Sequence, residues 1–188
     1  MRSGKDSVAA EIIKQRSGQY DIRRYAFADA LKQEVNDMAK ACGGMRELFL
    51  LNPLLPQWVE YDPVAPMDDP LCPLGKQRSL LQFWGVYRRE QEQDYWVNKV
   101  AQKLEEEKPE ICLITDLRFM NEFLWAKEYG DTIRVDRPGL PLGTHVSETS
   151  LACLADSEWD AVIANCGTLA ELKRKALITF DKLMEEPQ

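Results

Sequence analysis

The chain has 188 residues, 45% apolar and 29% charged, with ten glycines and ten prolines. That length suits one buried core, and that composition excludes disordered, collagen-like and low-complexity classes. The net charge of -7 argues against wrapping a nucleic-acid polymer, so any anionic ligand has to be held by a local cationic cluster. The longest apolar stretch, Leu48–Val59, is broken by Asn52, Pro53, Pro56 and Gln57, well short of the roughly 18 apolar residues of a membrane span. No apolar run follows the charged N-terminus, so neither a membrane segment nor a secretory signal is expected, and a cytoplasmic protein is. Five scattered cysteines and a single histidine, His145, favour buried free thiols over a zinc site.

Val8, Ala9, Ile12 and Ile13 recur at helical spacing until Gly18, which predicts a first helix. Ile22–Phe27 follows as a strand. Leu31, Val35, Met38 and Ala39 define a second helix over Ala28–Ala41, ended by Gly43-Gly44. Met45–Lys76 holds six of the ten prolines, a density that forbids a long helix or a central strand and predicts an insertion or cover loop. Helical pattern resumes at Leu80 and again over Tyr95–Leu104. Ile111–Ile114 is a continuous apolar run ending in Thr115-Asp116, the pattern of a buried parallel strand with a polar group at its carboxyl end. A helix over Asn121–Tyr129, a strand over Thr132–Val135, a Gly/Pro loop, a strand over Ala161–Ala164 and a helix over Leu169–Met184 complete the order. Alternating strand and helix predicts an α/β fold with a parallel sheet.

Gly4-Lys5-Asp6-Ser7 at the head of a helix is the second half of a phosphate-binding loop, G-x-x-x-x-G-K-[ST], in which helix-start amides cradle phosphates and the lysine reaches the β and γ groups. The first glycine falls before Met1, and Asp6 stands where the hydroxyl residue is usual, with Ser7 one place later. Asp116 at a strand end serves either as a Mg²⁺ ligand or as an N-cap for the next helix. Arg118 suits bidentate phosphate binding or a surface ion pair, and Asn121-Glu122 reads best as a helix opening. Trp84, Tyr87, Tyr95 and Trp96 read as core aromatics ahead of base-stacking ones. The run Glu105–Glu107 reads as a solvated helix end.

Ser3-Gly4-Lys5-Asp6-Ser7, Phe27–Lys32, Arg78–Gly85, Tyr95-Trp96-Val97, Thr115–Glu122, Arg134–Gly139, Thr144–Glu148 and Asp160–Leu172 occur in one order. Together they resemble the phage-type deoxynucleoside monophosphate kinases, relatives of the nucleoside monophosphate and dephospho-CoA kinases. The resemblance spans most of the chain except Met45–Lys76. It implies a single P-loop NTPase domain, three layers of α/β/α around a central parallel sheet, with the Pro-rich insertion at about 45–76 and a lid at about 137–148. It also implies a central strand and a glycine ahead of Ser3, so the reading frame is expected to extend upstream of Met1.

By position the resemblance implies an ATP site on Ser3, Gly4, Lys5, Asp6 and Ser7, with Asn165, Gly167 and Thr168 at the adenine end. Lys32 and Arg78 would lie toward the acceptor phosphate, and Gln82 and Gly85 along the acceptor pocket. Lys5, Asp116, Arg118 and Arg137 would face the transferring group. Mg²⁺ would be held by Asp6, Ser7 and Asp116. His145 and Glu148 would anchor the lid's return; a nucleoside monophosphate already offers an anionic nucleophile, so His145 is not needed as a base. Val86-Tyr87-Arg88 departs from the family's usual wording and leaves base preference open. The expected activity is ATP- and Mg²⁺-dependent phosphorylation of deoxynucleoside monophosphates for DNA precursor supply, in the host cytoplasm if the protein is phage-encoded. A homodimer is admissible; a nucleic-acid or membrane partner is not expected. The alternatives are another small-molecule kinase, such as one acting on dephospho-CoA, and a catalytically impaired nucleotide-binding relative.

Overall fold

The computed structural model describes residues 3–139 and 149–185. These fall into two compact units: one comprises the chain up to Tyr25 together with the part from Leu104 onward, and the other runs from Ala26 to Lys103. No helix among the described residues is long and apolar enough to cross a membrane.

The first unit is mixed α/β. It holds α1 (Lys5–Arg16), β1 (Ile22–Tyr25), β2 (Ile111–Ile114), α6 (Met120–Tyr129), β3 (Ile133–Asp136), a short 3₁₀ turn at Asp156–Glu158, β4 (Ala161–Ala164) and α7 (Leu169–Glu185). Both strand pairings are parallel. Strand β1 runs beside β2 in the register Ile22 to Ile111 and Tyr25 to Ile114, and β3 beside β4 in the register Ile133 to Ala161 and Asp136 to Ala164. The expected single sheet is therefore corrected: the described strands form two separate two-stranded sheets, with no strand bridging them.

A shared apolar cluster holds these pairs. Val8 and Ile12 of α1 meet Leu172, Ala176 and Phe180 of α7, together with Ile22 and Ile163. Ile111, Leu113, Ile133 and Val135 pack against the same cluster, so strands of both sheets lie on one core. Two polar links fix the ends of the second sheet. Asp160 accepts from Lys127 at 2.6 Å and from the Thr132 amide and hydroxyl at 2.7 Å, which pins the entry to β3 beside the entry to β4. Thr168 and Glu171 form a reciprocal capping box at the head of α7, with amide bonds of 2.7 and 3.3 Å.

The second unit is helical, with α2 (Phe27–Ala41), α3 (Met45–Leu51), α4 (Arg78–Gln91) and most of α5 (Tyr95–Glu107). Helix α2 packs on α3 and α4. Two boundaries are corrected here. Phe27 opens α2 rather than closing β1. Met45–Leu51, expected within the loop, is a two-turn helix, because the six prolines begin only at Pro53. The rest of the segment is a series of turns tied at both ends. The Gln77 side chain donates to the Asp62 carbonyl and accepts from the Asp62 amide, both at 2.8 Å, while Val59, Ala65 and Cys72 point inward and are buried. Of the thiols expected to be buried, only Cys72 is. Cys42 is half-buried, and Cys112, Cys153 and Cys166 are exposed, Cys112 because alternate residues of β2 face away from the core.

Ile12 is 1% exposed at the centre of the α1–α7 contact. Ile12→Ala removes three buried carbons there and should destabilise the chain by about 2–4 kcal/mol. Urea unfolding followed by far-UV circular dichroism measures this. A loss below about 1 kcal/mol would mean that the two helices do not depend on this contact.

Candidate functional site

The candidate residues lie in two groups, one in each unit. In the first unit, the entry to α1 is shaped by Gly4, whose φ of 106° is a left-handed conformation suited to glycine. The Asn165 side chain, from the loop after β4, donates to the Ser3 carbonyl at 2.7 Å, and the Asn165 amide donates to the Asp136 carbonyl at the end of β3 at 2.6 Å. A Cβ on Gly4 would stand 2.8 Å from both Asn165 Nδ2 and Leu172 Cδ2. The predicted ATP-end residues Ser3, Gly4 and Asn165 are thus brought together, at the end of a parallel sheet and the start of a helix. The amides of the first turn of α1 have no acceptor within the helix, which makes this an anion-favouring position.

Around this turn the side chains are partly committed. Lys5 Nζ lies 2.9 Å from the Asp6 carboxylate, in a half-exposed pair weak enough to be exchanged. Thr168 is engaged by Glu171 in the capping box. A Cβ on Gly167 would collide with the same Glu171 carboxylate, so Gly167 is fixed by the cap geometry.

The second cluster of the first unit lies after β2. Thr115 and Asp116 are 7% and 8% exposed, and the Thr115 hydroxyl is buried without a hydrogen-bond partner. The N-cap reading of Asp116 is set aside, since α6 begins at Met120. Its entry is held instead by Glu122, almost fully buried, which accepts from the amides of Arg118 at 2.8 Å and Phe119 at 3.1 Å. That bond folds the 115–119 turn and fixes the backbone from which Asp116 and Arg118 project. Arg137 is exposed just beyond β3. The lid residues His145 and Glu148, with the rest of the lid from 140 to 148, lie outside the described residues. Among the described residues no group of three or more His, Cys, Asp or Glu side chains is placed to hold a metal ion.

In the second unit, Lys32 of α2 sits between Asp29 at 3.4 Å and Asp69 at 3.0 Å. Asp69 also takes Lys76 at 3.3 Å and the Leu71 amide at 3.1 Å. Burial alone would lower the Lys32 ammonium, but the two carboxylates hold it above its ordinary value. Arg78 and Gln82 are exposed on α4. Gly85 is a packing position: it is buried, its carbonyl accepts from Trp96 Nε1 at 3.1 Å and from Arg89 at 3.0 Å, and an added Cβ would lie 3.3 Å from Leu31 of α2.

Sequence reasoning missed Glu34. Its carboxylate accepts from Trp84 Nε1 at 2.8 Å, Arg88 at 2.7 Å and Tyr95 Oη at 2.6 Å. The Arg88 guanidinium lies 5.0 Å from the Trp84 ring centroid and 4.9 Å from that of Tyr95. Trp84 and Trp96 are buried, in keeping with their reading as core aromatics, and Tyr87 stacks on Trp84. Burial alone would push the Glu34 carboxyl up, but the bonds from Tyr95, Trp84 and Arg88 hold it below its ordinary value.

The chain matches no family model and no curated protein.

Two outcomes follow from these clusters. Gly4→Ala places a methyl against Asn165 and Leu172 in a conformation that alanine resists, and should cost about 1–3 kcal/mol. In calorimetry it should also weaken ATP binding at least tenfold; a variant with unchanged stability and ATP affinity would separate this turn from both roles. Glu34→Gln turns an amide toward Arg88 and should cost about 2–3 kcal/mol at neutral pH. Because the Glu34 carboxyl is depressed on folding, its stabilisation is present above about pH 4.5 and is lost as pH falls through the folded value. Denaturation midpoints across the acid range should therefore fall less steeply in the variant than in the parent.

Proposed function

We propose that the chain is a nucleotide-binding phosphotransferase that moves the γ phosphate of ATP to the phosphate of a deoxynucleoside monophosphate. The observation that carries the reading is the entry to α1, where left-handed Gly4 and the Asn165 bond to Ser3 set helix-start amides at the end of a parallel sheet. The ordered sequence resemblance supplies the reaction class, and the helix start supplies the phosphate site.

Phosphoryl transfer asks the protein mainly to position two anions and to neutralise charge on the moving group. Lys5 leaves Asp6 and spans the donor phosphates, while Asn165 orients the loop toward the nucleoside end. Arg118, on the turn held by Glu122, offers two parallel N–H donors to a phosphate. Arg137 supplies a second cation. Mg²⁺, when bound, neutralises the donor phosphates. It is characteristically held by one or two carboxylates together with substrate oxygens and water; by the sequence resemblance Asp116, buried after β2, and Asp6 and Ser7 in the first turn of α1 would be the residues to hold it. Lys32 and Arg78 receive the acceptor phosphate, with Gln82 and Gly85 on the same helix as Arg78. Lys32 must exchange a carboxylate for it.

A second reading, nucleotide binding without turnover, is favoured by the same ion pairs. Lys5 and Lys32, the two lysines assigned to phosphates, both already contact carboxylates of this chain.

The test is a coupled ADP-release assay with ATP, Mg²⁺ and a panel of deoxynucleoside monophosphates, alongside calorimetric ATP binding. Turnover requiring a monophosphate should appear and should fall by about a hundredfold or more in Lys5→Met, with the fold retained. ATP binding with no turnover across the panel selects the second reading. Absence of ATP binding defeats both.

A further inference from the structure

We propose that Asp69 is a specificity-determining residue of the acceptor site: its carboxylate stands on Lys32 as a built-in competitor, and an acceptor takes its place only with a phosphate that carries more than one negative charge. The inference rests on the reading of Lys32 as the acceptor-phosphate lysine. Asp69 Oδ2 lies 3.0 Å from Lys32 Nζ and 3.3 Å from Lys76 Nζ, while Oδ1 accepts from the Leu71 amide at 3.1 Å. The Cys72 amide closes the same turn on the Asp69 carbonyl at 2.8 Å. The Lys32 and Asp69 side chains are each 16% exposed, in a unit where Gln77 also ties the Pro-rich segment at Asp62. Little space is left beside the ammonium: the cavity that Lys32 lines with Asn36, Cys72 and Gln77 is about 10 Å³, about one water in size. A phosphate therefore reaches Lys32 by exchange with a carboxylate.

Which carboxylate leaves, and for what, follows from charge. Asp29, 3.4 Å from Lys32, belongs to the same helix and stays with it. Asp69 approaches from another segment and keeps a counter-ion on leaving, since Lys76 shares the same oxygen. That lowers the cost of release, because a half-buried charge stripped of its partners is strongly destabilising. Burial alone would raise the Asp69 carboxyl, but Lys32, the Leu71 amide and Lys76 hold it below its ordinary value, and Lys32 is held above its own. Both are charged at neutral pH. An incoming carboxylate or phosphodiester brings only the single charge that Asp69 already supplies and gives up its own hydration, so the exchange gains nothing. A phosphate monoester brings about 1.5 to 2 negative charges at neutral pH and three strong acceptor oxygens, and charge-assisted hydrogen bonds from Lys32 then favour the exchange. Asp69 thereby selects a terminal phosphate against singly charged groups of similar shape.

Isothermal titration calorimetry of the full chain without ATP tests this, with the deoxynucleoside 5′-monophosphates and, as singly charged probes, their phosphate methyl esters. The parent should bind at least one monophosphate about tenfold or more tighter than its ester. Asp69→Asn keeps an oxygen for the Leu71 amide and removes the charge. It should tighten the ester by more than the monophosphate and shrink their affinity ratio by about threefold or more, with the circular dichroism spectrum unchanged. Asp69→Ser, whose hydroxyl also closes such a turn, supplies a second neutral side chain if the amide disturbs the fold. Asp68→Asn removes the neighbouring exposed carboxylate and should leave the ratio unaltered. A ratio that ignores both Asp69 variants overturns the proposal. So does one that shifts equally in Asp68→Asn, or a parent that binds neither probe. Turnover in a chain whose ratio does not respond to Asp69 retains the kinase reading and loses this one; a responding ratio in a chain without turnover does the reverse.

Discussion

The contact between α1 and α7 is the constraint on which the first unit rests. Two-stranded parallel sheets are not stable by themselves; parallel sheets persist where helices cover them. Here Val8 and Ile12 on one helix and Leu172, Ala176 and Phe180 on the other make a single apolar seam, and residues of β1 to β4 lie against it. The seam does more than bury carbon. By bringing the head of α7 to the head of α1 it places Leu172 and Asn165 against Gly4, and so converts ordinary helix packing into the geometry of the candidate phosphate turn.

The second unit rests on a different principle. Beside its apolar core, its helices are joined by half-buried and buried polar groups: Glu34 accepts from three donors, the Gly85 carbonyl from Trp96 and Arg89, and Asp69 from two lysines and an amide, while the buried Asn36 side-chain oxygen on α2 has no hydrogen-bond partner. Such networks rigidify a core when complete and are costly when one member is lost. At Gly85 the contact between α2 and α4 is close enough that an added Cβ would press on the end of Leu31 at 3.3 Å, which must then give way by a few tenths of an ångström.

Most of the element order was legible in the sequence. Ile111–Ile114 and Ala161–Ala164 are strands with the boundaries their apolar runs predict, and α7 ends one residue from its expected limit. Local signals suffice there. Phe27 was misplaced because an apolar residue between a strand and a helix fits either pattern. The division into two sheets was not legible at all, since periodicity reports burial and says nothing about which strands are neighbours. Of the site, Gly4 and Asn165 could be named, but the hydrogen bond joining Asn165 to Ser3 spans 162 positions. Glu34 was invisible for the same reason: Trp84 and Arg88 stand four apart on one helix face, while the carboxylate that unites them lies about fifty residues earlier.

Among the described residues, each strand of the first unit has one hydrogen-bonded neighbour. In a parallel ladder successive peptide groups of a strand point alternately to its left and right, so a single neighbour can engage only every second residue. Solvent exchange of amide protons along β1 to β4 is accordingly expected to alternate residue by residue, protected toward the partner and open away from it. A strand flanked on both sides would show continuous protection. The isotope pattern along four short segments thus records how many neighbours each strand has, in solution and without a map of the chain.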